Sequence, residues 1–132
     1  MARALRALFA VAAVMLVLDL TWLAVVAASL YRSALGPLMA QETNVIAAAL
    51  FYVMYVSATT FHAALADTVG VAARRGAALG FVAYATYELT NWAVIAGWPA
   101  RLVPIDLAWG VVLTGVSAAV GRLAAGVPPL KR

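Results

Sequence analysis

The chain has 132 residues, of which 67% are hydrophobic and only 11% charged, against about 25% charged in soluble domains, and its mean hydropathy is +1.00. This composition excludes an ordinary soluble domain and makes the chain an integral membrane protein. The net charge of +4 does not indicate nucleic acid, because no basic run exceeds two residues and the clusters flank apolar stretches. Cysteine is absent, which excludes a disulfide framework, a thiolate nucleophile and a thiolate metal site.

Four spans are predicted within one domain covering residues 1–132, an all-α four-helix transmembrane bundle. The first covers residues 7–31. Arg3, Arg6 and the apolar run that follows imitate a signal peptide, but the run is too long and carries Asp19, Trp22 and Arg32, so it is read as a retained helix. Asp19 falls near the centre of this span, where a carboxylate costs about 2.5–3.5 kcal/mol to insert. Trp22, three residues on, shares its helical face. A loop follows through Gly36-Pro37 and Gln41-Glu42.

The second span, residues 45–66, carries Tyr52 and a stripe of Phe51, Tyr55 and Thr59. Its His62 is the chain's one histidine, which excludes bis-His haem ligation and histidine-cluster di-iron chemistry within one chain. Asp67 to Arg75 reads as the second loop. The third span, residues 72–97, opens on Gly76-Ala77-Ala78-Leu79-Gly80, a GxxxG stripe that signals close helix packing or, as the sharper reading, a homodimer through Gly76 and Gly80. Tyr84, Glu88 and Asn91 then follow at i, i+4, i+7 and line one face.

Trp98-Pro99-Ala100-Arg101 forms the third connection, and the fourth span covers residues 103–123 with Asp106 and Trp109 at i, i+3. Asp106 sits in the first turn, where a carboxylate also suits a helix cap or the helix dipole. Tyr31 and Trp98 read as interfacial anchors. The chain's one lysine, Lys131, is in the tail, which excludes a retinal-type Schiff base in the membrane. No phosphate loop or nucleophile elbow is present, and neither a cofactor nor a metal is implied.

An offset of 88 − 19 = 69 residues aligns Asp19-Leu20-Thr21 with Glu88-Leu89-Thr90 without a gap. It also pairs Arg6 with Arg75, Ala24 with Ala93, Val25 with Val94, Ala27 with Ala96 and Arg32 with Arg101. Two Ala/Val-rich segments match in part by composition; the Arg ends and the acid-Leu-Thr core point to two repeated helical hairpins with a site at their interface. Arg3, Arg6, Arg74, Arg75, Arg122, Lys131 and Arg132 fall on one side of the four spans against Arg32 and Arg101 on the other, so the positive-inside rule predicts cytoplasmic termini.

At about 1.5 Å per residue, Asp19 and Glu88 are expected near the midplane, level with Tyr55 and Tyr84, and Trp22, Tyr52, Asn91, Asp106 and Trp109 one layer further out. These nine residues are the candidate ligand-binding or proton-linked site. No Lys or Arg lies at their depth. The alternatives are neutral carboxyls that donate to Tyr or Asn as interhelical glue, and a site for a proton, a cation or a substrate.

Tyr84-Ala85-Thr86-Tyr87-Glu88-Leu89-Thr90-Asn91, Leu18-Asp19-Leu20-Thr21-Trp22-Leu23, Phe51-Tyr52 and Asp106-Leu107-Ala108-Trp109-Gly110 together resemble the bacterial membrane proteins of domain of unknown function 2177. The family typically carries Asp where this chain has Glu88. The resemblance implies four helices and a bacterial inner-membrane location, but no activity. From the residues, two function classes compete: a cavity that binds a proton, a cation or a small amphipathic ligand, as in a small transporter or channel, and an intramembrane acid/base enzyme acting on an isoprenoid or fatty-acyl lipid. A structural assembly partner is the third reading. The lipid bilayer is the one partner common to all three.

Overall fold

The computed structural model describes residues 1–126, so Lys131 and Arg132, which the orientation count included, lie outside the described residues. Four helices follow in chain order: α1 (Ala2–Leu35), α2 (Val45–Ala64), α3 (Val69–Val94) and α4 (Leu102–Ala125), with no strand among the described residues. α1 contains a π-helical turn at Trp22–Val26, and α2 ends in another at Thr60–Ala64. Such π turns inside α-helices often mark functional positions.

Local chemistry sets the boundaries. The Asn44 side chain accepts from Ala47 N at 3.0 Å and starts α2, and Thr68 Oγ1 accepts from Val71 N at 3.2 Å and starts α3. The Thr68 cap corrects the second predicted loop, since residues 69–75 are already helical and the connection is much shorter than Asp67 to Arg75. At the other end of α3, Ile95 turns extended and Gly97 adopts φ +80°, so this helix stops at Val94 instead of continuing through Gly97. α1 runs four residues beyond its predicted end and stops at Gly36, with φ +46°.

α1, α2 and α4 are each long and apolar enough to cross a membrane. α3 has the length, at 26 residues, but is not among these three; it carries Arg74, Arg75 and Glu88. Phe9, Val17, Leu50, Val53, Met54, Val82 and Val94 are among many large apolar side chains that point outward, as lipid-facing residues do. The interior is built of smaller groups. α4 is the central helix, packing on α3 along one side and α1 along the other, and it contributes Leu113, Thr114, Gly115, Ser117 and Ala118 to the core.

Close approach of α3 to α4 depends on glycine. A Cβ at Gly76 would lie 2.6 Å from both Ala118 Cβ and the Thr114 carbonyl oxygen, and one at Gly80 would run into the Gly110 carbonyl. The GxxxG stripe is therefore buried inside one chain, and the face expected to hold a homodimer through Gly76 and Gly80 is already covered by α4.

Arginines close one end of the bundle. Arg3 donates to the Leu65 and Ala66 carbonyls at 3.1 and 3.3 Å, Arg6 to Ala125 O at 3.2 Å, and Arg122 to Asp67 O at 2.6 Å and Gly126 O at 2.8 Å. Each guanidinium satisfies carbonyls that the ends of α2 and α4 leave without intrahelical partners and sits favourably at the negative end of a helix dipole. At the opposite end Arg101 donates to Ser33 Oγ at 3.2 Å.

Candidate functional site

Two carboxylate sites lie about one helical turn apart along α4, one using Trp109 and the other Asp106. In the first, Asp19 projects from the middle of α1 and is 8% exposed. Tyr52 OH donates to its Oδ2 at 2.5 Å, and Trp109 Nε1 donates to its Oδ1 at 3.2 Å. Trp22, at the start of the π turn, stacks on Trp109 with ring centroids 4.4 Å apart and planes 9° from parallel. Three helices thus meet on one carboxylate, both of whose oxygens have donors.

The second site is incomplete. Glu88 is fully buried, 94 − 88 = 6 residues from the end of α3. Trp98 Nε1 donates to its Oε2 at 3.0 Å, but Oε1 is buried with no hydrogen-bond partner. Asp106 is 5% exposed, and its Oδ1 accepts a hydrogen bond from Tyr31 OH. Glu88 and Asp106 line one cavity of about 230 Å³, walled by the rings of Tyr31, Tyr84, Tyr87 and Trp98 and closed by Leu35, Met39 and Leu102. No basic side chain among the described residues lines it.

The expected layers regroup in three dimensions. Asp19 pairs with Tyr52 and Trp109, both placed a layer further out by residue counting, while Glu88 shares its cavity with Asp106. Asp106 does not cap α4: it is the fifth residue of that helix, and Arg101 stands at the cap position. Tyr55 reaches neither acid; its hydroxyl pairs with Thr114 Oγ1 at 2.7 Å. Asn91 is half-buried and is not among the cavity walls. Tyr84 lies beside the acid cavity with its ring over Gly110, where a Cβ would collide with it.

Tyr31 and Trp98, read from sequence as interfacial anchors, instead supply polar hydrogens to the buried acids. For Trp98 a signal exists in the chain: the short connection after α3 folds an indole back ten residues onto Glu88. Tyr31 and Asp106 are 75 residues apart, and no local pattern pairs them.

The family model described as "Predicted membrane protein (DUF2177)" matches residues 4–123, spanning all four helices. The chain belongs to this family. No curated protein and no solved structure matches it. Membership supports the membrane location that composition and three apolar helices already indicate, and the description names no activity.

In this DUF2177 chain the chemistry follows from what each acid lacks. Asp19 has donors on both oxygens, so its cluster works as a three-helix clasp. Glu88 and Asp106 together offer two carboxyl groups, one oxygen without a partner and four aromatic rings. Two carboxylates that line one largely aromatic cavity are best balanced by a proton or a bound cation.

Proposed function

We propose that the protein binds a small organic cation within the membrane, between Glu88 and Asp106, as a binding or transport protein. The observation that carries this reading is Glu88, buried with its Oε1 unpartnered and bordering a cavity that a second carboxylate, Asp106, also lines and that no basic side chain among the described residues lines. The walls favour an organic ammonium. Aromatic faces attract such cations through the ring quadrupole, and desolvation strengthens that attraction. A divalent metal prefers six or more oxygen ligands, and no cluster of three or more His, Cys, Asp or Glu side chains converges among the described residues. At about 230 Å³ the cavity is below the roughly 300–1,000 Å³ of pockets that enclose drug-sized ligands, which suits a head group of a few heavy atoms.

In this reading the protein sits in a bacterial inner membrane with the end carrying Arg3, Arg6, Arg74, Arg75 and Arg122 in the cytoplasm, by the positive-inside rule. The acid cavity then lies toward the outer leaflet, beside the α1–α2 and α3–α4 connections.

The test is equilibrium binding of radiolabelled tetramethylammonium to the full chain in phosphatidylglycerol nanodiscs. The expected result is saturable binding that Glu88→Gln and Asp106→Asn each weaken by about tenfold or more, a loss of about 1.4 kcal/mol or more. Equal binding by the parent and both amides overturns the proposal.

A further inference from the structure

The acid cavity has an apolar neighbour. α2 and α3 approach each other at their shared end, around Thr60–Ala64, while the Val45–Thr59 part of α2 stands away from α3. The gap between them is a slot of about 420 Å³ lined by Phe51, Met54 and Tyr55 from α2 and Ala83, Tyr84 and Tyr87 from α3. Met54 is 66% exposed and Tyr87 57% exposed, so the slot opens sideways, onto the outward apolar face of α2. Tyr84 and Tyr87 wall both spaces, so the slot adjoins the cavity that Glu88 and Asp106 line.

We infer that the ligand is a membrane-resident amphiphile with one alkyl chain and a protonated or quaternary amine head, entering sideways between α2 and α3. Its head lies between Glu88 and Asp106, and its chain lies along the slot. This rests on the cation reading above and adds the ligand class and the route.

Three features select this occupant. The head must be cationic, because the only charged groups lining the cavity are acids. A zwitterionic phospholipid head is disfavoured, since its phosphate would meet those carboxylates with no Lys or Arg to pair with it. The tail must be apolar because every slot residue presents a hydrocarbon, thioether or aromatic surface, with the Tyr55 hydroxyl already turned to Thr114. Cavity and slot together fall within the usual range for enclosed ligands, although the cavity alone falls below it.

Bilayer hydrocarbon solvates an alkyl chain about as well as the slot does, so the slot acts by shape and its signature is steric. The experiment compares dodecyltrimethylammonium, dodecanol and tetramethylammonium on the full chain in phosphatidylglycerol nanodiscs, with the long-chain compounds dosed by mole fraction in the bilayer and empty discs as the partition blank. Two variants fill the slot from opposite walls: Ala83→Phe on α3 and Met54→Trp on exposed α2. Thermal melts confirm that each remains folded.

Dodecyltrimethylammonium is expected to displace radiolabelled tetramethylammonium from the parent and dodecanol is not. Either slot variant should weaken the long-chain cation about tenfold while leaving tetramethylammonium within about twofold. If tetramethylammonium binds in a Glu88-dependent way but both folded slot variants leave the long-chain cation unaffected, the slot inference falls and the cation reading stands. Displacement by dodecanol as effective as by the cation overturns the amine head. Absence of Glu88-dependent binding by either cation overturns both readings.

Discussion

Asp19 and Glu88 sit in the same acid-Leu-Thr phrase, yet the fold gives them different surroundings. Asp19 lies mid-helix where α1, α2 and α4 meet, and an indole and a phenol from two other helices each donate to one of its oxygens. Glu88 lies near the end of α3, where an indole from the connection donates to one oxygen, the other oxygen is buried without a hydrogen-bond partner, and the residue borders an aromatic cavity with Asp106. A buried carboxylate with a donor on each oxygen ties neighbouring helices together; one with an oxygen that no donor reaches keeps an unmet demand for a proton or a cation. Sequence context does not separate the two cases. The number of donors reaching each oxygen does.

The comparison breaks most visibly at Asp19. Asp19→Ala leaves Tyr52 OH and Trp109 Nε1 without their acceptor and should destabilise the protein by about 2–6 kcal/mol, at roughly 1–3 kcal/mol for each polar group left unpaired. Thermal or denaturant melts of the purified protein give the number. Tetramethylammonium binding by the folded fraction should change little, and a loss as large as that of Glu88→Gln would merge the two sites into one.

Glu88→Gln should do the reverse. It keeps an acceptor for Trp98 and fills the same volume, so stability should stay within about 0.5 kcal/mol, while tetramethylammonium affinity should fall by about tenfold. Melting and binding measured on the same preparation separate the effects, and a large stability loss would make Glu88 a clasp like Asp19.

Acidification offers a finer separation. Protons compete with a cation for the Glu88 carboxylate, so affinity should fall as pH is lowered and recover as it is raised. Tyr31, Tyr84 and Tyr87 are the other titratable groups lining the cavity, and none of them carries positive charge in either form. Asp19→Asn should preserve the shape of this profile and Glu88→Gln should flatten it. A profile altered equally by both would assign the proton to the pair of sites together.

The smallest effect is expected from Glu88→Asp, which keeps the charge and shortens its reach by one methylene. Affinity should fall only about two- to threefold, since the Coulomb attraction weakens gradually with distance. A loss as large as that of Glu88→Gln would show that the position of the carboxylate matters as much as its charge.

Much of this was legible in the chain. Membrane class, helix number and burial of Asp19, Glu88 and Asp106 follow from apolar run lengths and from the cost of placing acids among them. The Gly76/Gly80 stripe announced close packing, although its partner is α4 of the same chain. The second connection is shorter than Asp67 to Arg75 because Thr68 caps α3, which already contains Arg74 and Arg75.

The sequence by itself determined that three acids would be buried without cations at their level, because hydropathy and spacing are properties of single helices. Only the tertiary structure decided how those acids are partnered. Trp109 turns to Asp19 though it lies three residues from Asp106, Tyr31 reaches Asp106 from the far end of α1, and Tyr55 finds Thr114. Helical periodicity places a residue on a face, but which neighbour that face meets depends on helix rotation and separation. Glycine contacts such as Gly80 on Gly110 and Gly121 on Val11 set how closely the helices pack, and the π turn beginning at Trp22 changes the rotation of α1 partway along its length.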